Sequence, residues 1–349
     1  MVSMTLSEAL DDLLKLAGSD LLISAGTSPR VRRDGILVIL PGPPLTPADI
    51  ELMLASVLKP SDLEDLREQR AVDFAFNWRD EVRIRGNAFY QRGSMAAAFR
   101  LLPLQIPSFE QLGVPESVHK LIGRHQGLVL VTGPTGSGKS TTLAAIVDHI
   151  NKTRPCHVVT VEDPVEYVHR HELAIVDQRQ VGSDVPSFGE ALRSVFREDP
   201  DVVLIGELRD LDSISSALTI AETGHLVLAT LHTNDSAQAI DRILDGFPSG
   251  QQSQVRTQLA ASLAGVIYQQ LLPAVGGGRV AAFEVLIATS NVKALIKDGK
   301  TNQIRNALST AYKDGSQTLE RSLNQLLRSG LVSERDAQAR SLYPQELTA

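Results

Sequence analysis

The stretch GPTGSGKST, residues 133–141, follows directly on the apolar run LVLV at residues 128–131. Behind it, residues 140–151 carry a helical pattern. Gly133, Gly138, Lys139 and Ser140 satisfy the spacing G-x-x-x-x-G-K-[ST]. That spacing has a mechanical reason. Glycines at these places let the backbone curl until successive N–H groups point at one anion. The lysine adds a mobile positive charge, the serine hydroxyl suits Mg2+, and the opening of a helix adds the positive end of its dipole. An accidental match arises in about one chain in a hundred of this length. Here a strand precedes the motif and a helix follows it, which is the context it demands. Gly133, Pro134, Thr135, Gly136, Ser137, Gly138, Lys139, Ser140 and Thr141 are therefore the expected cradle for a nucleotide, with ATP and Mg2+ as the expected ligands.

Binding alone is not hydrolysis. Splitting a phosphoanhydride needs a carboxylate to polarise water and another acid near the metal. Parallel strands present such groups at their carboxyl ends. The run VVTV is followed by Glu162, Asp163 and Glu166, with Pro164 ending the strand, and DVVLIGE closes on Glu207. A single acid at a strand end equally suits a helix cap or a solvated loop. Two such strands after a phosphate loop point to catalysis. The local pattern leaves Glu162 and Glu166 as alternatives for the base. Gly206 stands where many such ATPases carry an aspartate.

Composition narrows the alternatives. The chain has 349 residues, 43% of them hydrophobic and 21% charged, as in globular proteins with a full core. At roughly 150 residues per domain, two domains are expected. A net charge of −7 opposes general nucleic-acid binding, which needs surplus Lys and Arg to neutralise phosphates. Cys156 is the one cysteine, so neither an internal disulfide nor a cysteine-rich zinc site can form. The N-terminus lacks the basic and apolar regions of a signal peptide, and no apolar run reaches the ~18 residues of a membrane span.

The chain changes rhythm near residue 103. Before it, an amphipathic helix over residues 6–17 leads into two short strands with a turn at Asp34-Gly35. Helices at residues 48–58 and 61–69 follow, the first capped by Thr46-Pro47, and then alternating strands from residue 71 to 102. This reads as an α+β domain over residues 1–102. Residues 103–113, with two prolines and no period, read as a linker. From residue 114 to 349, strands and helices alternate in a βαβ rhythm that implies a parallel sheet. Beyond residue 236 the pattern reads as mostly helical, interrupted by a hairpin in GGGRVAAFEVLIA.

Longer stretches carry a resemblance. VEDPVEYVH (residues 161–169), ALRSVFREDPDVVLIGELRD (191–210) and AETGHLVLATLHTNDSAQAIDRILDGFP (221–248) resemble the Asp box, Walker B region and His box of the secretion ATPases. These are hexameric motors of type II secretion and type IV pili. SDLLISAGTSPRVRRDG (19–35) and GGGRVAAFEVLIATSNVKALIKDGK (276–300) extend the likeness over nearly the whole chain, and most closely toward the pilus-retraction, twitching-motility members. Assembly and secretion members usually add a long N-terminal region and a four-cysteine zinc module, which this chain cannot build.

The resemblance implies a RecA-like P-loop core and a smaller N-terminal, PAS-like α+β domain. It implies that Glu166 is the general base, that Glu207 acts on the Mg2+ shell or the water, and that His232, with His225, approaches the phosphates. It places Arg85 and Arg100 over the triphosphate as a lid from the small domain, and makes Arg193, Arg197 and Arg209 candidates to cross a subunit interface. Residue chemistry supports the lid, because an arginine inside an apolar strand is costly if turned inward unpaired. The alternative is a strand arginine facing water. The resemblance further implies a homo-hexamer in the cytoplasm. Its contact with the inner membrane would run through a pilus platform protein, a paralogous ATPase would be a possible partner, and no nucleic acid is involved. One stretch departs from the family. Retraction members show Ala-Ile-Arg-Asn-Leu-Ile-Arg-Glu where this chain has Lys293 and Lys297 at the arginine positions. Lysine lacks the rigid fork for bidentate pairing, so an accessory paralogue is the second reading.

Overall fold

The computed structural model describes residues 4–33, 35–79, 82–102 and 105–348. Asp34 of the expected turn, and Pro103 and Leu104 of the expected linker, lie outside the described residues. The chain divides into two compact units. One is Met1–Gln105 together with Pro164–Val168; the other is Ile106–Asp163 and His169–Ala349.

The first unit runs α1 (Leu6–Lys15), β1 (Asp20–Ser24), β2 (Arg30–Arg33), β3 (Ile36–Ile39), α2 (Pro47–Ala55), α3 (Pro60–Gln69), β4 (Ala71–Trp78), β5 (Val82–Gln91) and β6 (Ser94–Leu101). Leu6, Ala9, Leu10 and Leu13 recur at helical spacing and are all buried, which gives α1 its inner face. Thr5 caps it in a reciprocal box with Glu8. Thr46 and Asp49 do the same for α2, with Pro47 in the first turn. The strands form one antiparallel sheet in the order β3-β2-β1-β6-β5-β4. On β5, Val82, Ile84 and Ala88 face the core, while Arg83, Arg85 and Asn87 take the opposite face. Gly86 lies on the core side beneath Phe74, and a Cβ there would stand 2.2 Å from the ring.

The second unit runs α4 (Phe109–Leu112), α5 (Glu116–Ile122), β7 (Gly127–Thr132), α6 (Lys139–Thr153), β8 (His157–Glu162), β9 (Ile175–Gln180), α7 (Phe188–Val195), β10 (Val202–Ile205), α8 (Leu211–Glu222) and β11 (Leu226–Leu231). It continues through α9 (Ser236–Asp245), α10 (Gln252–Ser262), β12 (Leu263–Pro273), β13 (Arg279–Ile287), α11 (Ser290–Lys297), α12 (Ile304–Thr310), α13 (Leu319–Arg328) and α14 (Glu334–Arg340). The sheet order is β13-β12-β7-β11-β10-β8-β9, parallel except for the β12–β13 pair. The βαβ reading is borne out. The continuous apolar runs hide a period of two: Leu128, Leu130, Val203 and Ile205 enter one core, while Val129, Val131, Val202 and Leu204 enter the other. A parallel sheet covered on both faces requires this.

Part of the expectation beyond residue 236 is corrected. Residues 263–273 form the long strand β12, and eight of their first residues, LAGVIYQQ, are buried. Burial on both faces removes the polar alternation that would have separated strand from helix. Likewise residues 106–113, read as linker, belong to the core unit, where Ser108 caps α4. No helix among the described residues is long and apolar enough to cross a membrane.

One half-buried imidazole makes the core unit sensitive to acid. Burial lowers the pKa of His169 to about 4, and its Nδ1 is buried without a hydrogen-bond partner. The unfolded chain takes up this proton near pH 6.5, the folded one near 4. Stability from this group is therefore complete above pH 6.5 and lost as pH falls toward 4, by about 3 kcal/mol at most. In thermal melts the stability of wild type relative to His169→Gln should be constant above pH 6.5 and fall as pH drops from 6.5 to 4; equal slopes across that window would exclude His169 as the cause.

Candidate functional site

The strands β7, β11, β10 and β8 lie side by side and parallel, so their carboxyl ends share one edge. Each delivers one part of a site, as open α/β sheets do. The phosphate loop leaves β7 through Gly133, Gly136 and Gly138, all at positive φ (146°, 77° and 89°). Gly138 sits at the N-cap of α6, so the free N–H groups of that first turn open toward the loop. Sterics also hold two of these positions to glycine. A Cβ at Gly133 would stand 2.3 Å from the Gln269 carbonyl oxygen, and one at Gly138 would stand 2.9 Å from Gln269 Nε2.

Gln269 is a residue that sequence reasoning missed. It is buried on β12, and its Oε1 accepts a 2.6 Å hydrogen bond from the Thr142 hydroxyl of α6. It thus braces both ends of the loop. The signal was present as a polar QQ pair inside the apolar run VIYQQLL.

From the loop, a line of charged and polar groups crosses the strand ends. Lys139 is buried, and its Nζ donates to the carbonyls of Gly133 (2.9 Å) and Pro134 (3.0 Å). It also lies 3.4 Å from His232 Nδ1, just past β11. His232 Nε2 lies 3.3 Å from Glu207 Oε1, just past β10. Arg209 Nε donates to Glu207 Oε2 at 2.8 Å, and Arg209 Nη1 lies 3.9 Å from Asp163 Oδ2, just past β8. Burial first, then the Lys139 charge, lower the His232 pKa below its ordinary value, against the pull of Glu207. The imidazole is therefore neutral near pH 7, with Nδ1 accepting from the ammonium and Nε2–H donating to the carboxylate, a tautomer assigned from these partners. Glu207 in turn raises the Arg209 pKa through their hydrogen bond.

Other expected site residues fall elsewhere. Glu162 is turned along the sheet, where its Oε1 accepts from Thr160 Oγ1 (2.7 Å) and Gln178 Nε2 (3.2 Å). Glu166 stands in Pro164–Val168, the segment that packs with the N-terminal unit. There Arg85 Nη1 lies 4.0 Å from its Oε1, and Arg83 Nε donates to the Val165 carbonyl at 2.9 Å. Arg83 was not singled out from the sequence. Arg100 faces Arg85 across β5–β6 and donates to Asp20 Oδ1 at 2.8 Å. Both arginines therefore lie on the face turned away from the apolar core, and Arg100 is 69% exposed.

His225 requires a correction. It precedes β11 and its carbonyl accepts from the Gly127 N–H, at the start of β7. The six residues of β11 at ~3.3 Å each separate it by about 20 Å from the edge that carries Gly133 and His232. Within this chain it is not a nucleotide contact; its Nδ1 faces the Ile220 carbonyl and Thr223 Oγ1 instead. Arg193 and Arg197 are exposed, while Arg209 is engaged by Glu207 and Asp163.

The donor set fits Mg2+. Ser140 is exposed in the first turn of α6, and Glu207 supplies a hard oxygen on the same edge. Among the described residues no three His, Cys, Asp or Glu side chains gather into a cage. A site built from one or two protein oxygens suits Mg2+, which completes its shell with phosphates and water. Beside the loop opens a cavity of about 750 Å³, lined by Leu112, Gly138, Thr141, Gln269, Leu271 and Val280 among others. Its lining mixes apolar side chains with polar ones such as Gln111, Arg279 and Gln317, a combination that suits a small polar ligand with a planar base.

A family model described as "Type II/IV secretion system protein" matches residues 30–339. The type IV pilus retractation ATPase PilT of Pseudomonas aeruginosa is 43% identical over 342 residues, covering 98% of this chain and 99% of that protein. The type IV pilus ATPase PilU of the same species is 38% identical over 328 residues, covering 94% and 86%. A crystal structure of the pilus retraction motor PilT with bound ADP superposes with a TM-score of 0.92 at 46% identity, covering 99% of both chains.

Proposed function

The chain belongs to the type II/IV secretion system protein family, and from that premise we propose that it is an ATP hydrolase that powers type IV pilus retraction. The observation that carries the reading is the match to a retraction ATPase over 98% of this chain and 99% of that protein. The strand-end edge supports the chemistry. The loop N–H groups and Lys139 bind the phosphates, and Ser140 and Glu207 would hold Mg2+, which offsets charge on the transferring phosphoryl group. Neutral His232, between Lys139 and Glu207, takes its place by the terminal phosphate. Leu112, Leu271 and Val280 enclose the base.

Glu166 is our choice for the residue that takes a proton from the attacking water, because the carboxylate of Glu162 is already bonded by Thr160 and Gln178. Arg85 shares a compact unit with Glu166 and lies 4.0 Å from its Oε1. The working form is a homo-hexamer in the cytoplasm, pushing an inner-membrane platform protein, with a paralogous ATPase as a possible companion. Lys293 Nζ donates to the Ala261 carbonyl in the last turn of α10, a bond that lysine and arginine can both make.

Deletion of the gene in a piliated host tests the reading. Surplus surface pili with lost twitching are expected. Bald cells would instead indicate assembly, and unchanged pili and motility would contradict retraction.

A further inference from the structure

A buried ionic cluster lies behind the site, unused by the chemistry above. Glu284 on β13 is 3% exposed. Its Oε1 accepts from the backbone N–H of Ser236, the first residue of α9, at 3.0 Å. Its Oε2 lies 3.7 Å from Arg305 Nη1. Burial pushes the Glu284 pKa up, and hydrogen bonding from Ser236 and the Arg305 charge pull it back. Arg305 also holds Glu320 of α13 and Glu346 of the C-terminal segment, each at 2.9 Å, and its guanidinium covers the Tyr343 ring at 4.2 Å. Glu320 in turn accepts from the N–H groups of Leu342 and Tyr343. Apolar side chains could join the same elements without desolvating charge, so such a cluster is better understood as fixing one geometry than as adding stability.

The geometry it fixes adjoins His232. Ser236 lies four residues beyond it, and Asp235 between them caps α9 through the Gln238 N–H. One transverse row of the sheet joins the two sides: Glu284 pairs with Tyr268, Tyr268 with Thr132, and Thr132 with Leu231, the residue before His232. The loop from 232 to 235 is thus held at one end by β11 and at the other by the grip of Glu284 on Ser236.

We propose that Glu284 and Arg305 are positioning residues for His232. They anchor the start of α9, and so set the loop that presents the imidazole to Lys139 and Glu207. This rests on the ATP-hydrolase reading, and it adds a role for the C-terminal segment as a third support of the same anchor.

The test uses the purified full-length chain. Glu284→Ala should lower kcat about 10-fold or more, since small misplacements at a reacting centre reach ~100-fold. KM for ATP and the affinity for a fluorescent ADP analogue should stay within about twofold, because the phosphate loop is untouched. Glu284→Gln keeps an oxygen for the Ser236 N–H and should recover most of the rate; Arg305→Lys, which keeps charge but loses the fork, should resemble Glu284→Ala. An unchanged kcat in Glu284→Ala, a rise in KM matching the loss in kcat, or a Gln variant as impaired as Ala would overturn the proposal. NMR separates the two claims. The His232 imidazole resonances should move in Glu284→Ala and Arg305→Lys, and unmoved resonances would overturn the positioning role whatever the turnover. A wild-type chain without turnover would contradict the hydrolase reading instead.

Discussion

Lys139→Ala is expected to cut ATP turnover by about 10²–10³-fold, as removal of one preorganised charge from a transition-state cradle does elsewhere. Lys139 is buried at the start of α6, with its ammonium fixed by the Gly133 and Pro134 carbonyls. The grip keeps the charge at the loop, and a bound phosphate oxygen would take the place of one of these partners. The loss should appear in both kcat and nucleotide affinity, since the ammonium serves ground and transition states alike. A second signature follows from His232. The Lys139 charge is one cause of its lowered pKa, so its removal raises that pKa toward the ordinary 6.5. An NMR titration should therefore show His232 protonating at higher pH in Lys139→Ala than in wild type. Turnover within about threefold of wild type would remove Lys139 from the mechanism.

The next largest effect is expected from Glu207→Gln, a loss of about 10²-fold or more in kcat with ATP binding nearly retained. The amide keeps the size of the side chain and its oxygen can still accept from Arg209, while its NH2 would face the His232 Nε2–H, so the measured loss reports the missing charge together with one hydrogen bond rather than a collapsed site. Glu207 stands between Arg209 Nε at 2.8 Å and His232 Nε2 at 3.3 Å, a carboxylate polarised from two sides. Stopped-flow binding of a fluorescent ATP analogue beside steady-state phosphate release separates the two terms. Normal turnover in Glu207→Gln would assign the Mg2+ shell and the water to other groups.

Much of this was legible in residue order because it is local. A phosphate loop needs its glycines and lysine at fixed offsets, and the acids that close VVTV and DVVLIG mark strand ends directly. What escaped was non-local. Gln269 braces the loop from a strand more than a hundred residues away, and the burial of that strand erased the alternation that would have announced it. Glu166 follows Asp163 by three residues, yet packs with the other unit, a return that no periodicity records. His225 and His232 look like a pair because they flank one strand, and extended backbone sets them on opposite edges of the sheet. Arg209, a candidate to cross a subunit interface, lies between Glu207 and Asp163 within this chain, the second of them past another strand. At Gly206, an aspartate would bring a Cβ within 3.3 Å of the Val161 carbonyl oxygen, so the glycine lets β10 and β8 end close together.

The account stands on the edge where Lys139, His232 and Glu207 meet being a working hydrolytic centre. Steady-state phosphate release from ATP by the purified full-length chain, with Mg2+ and then with EDTA, tests this most directly. The prediction is turnover that saturates with ATP and disappears when the divalent cation is chelated. A folded chain that binds ATP but releases no phosphate, or one whose rate is indifferent to EDTA, would contradict it.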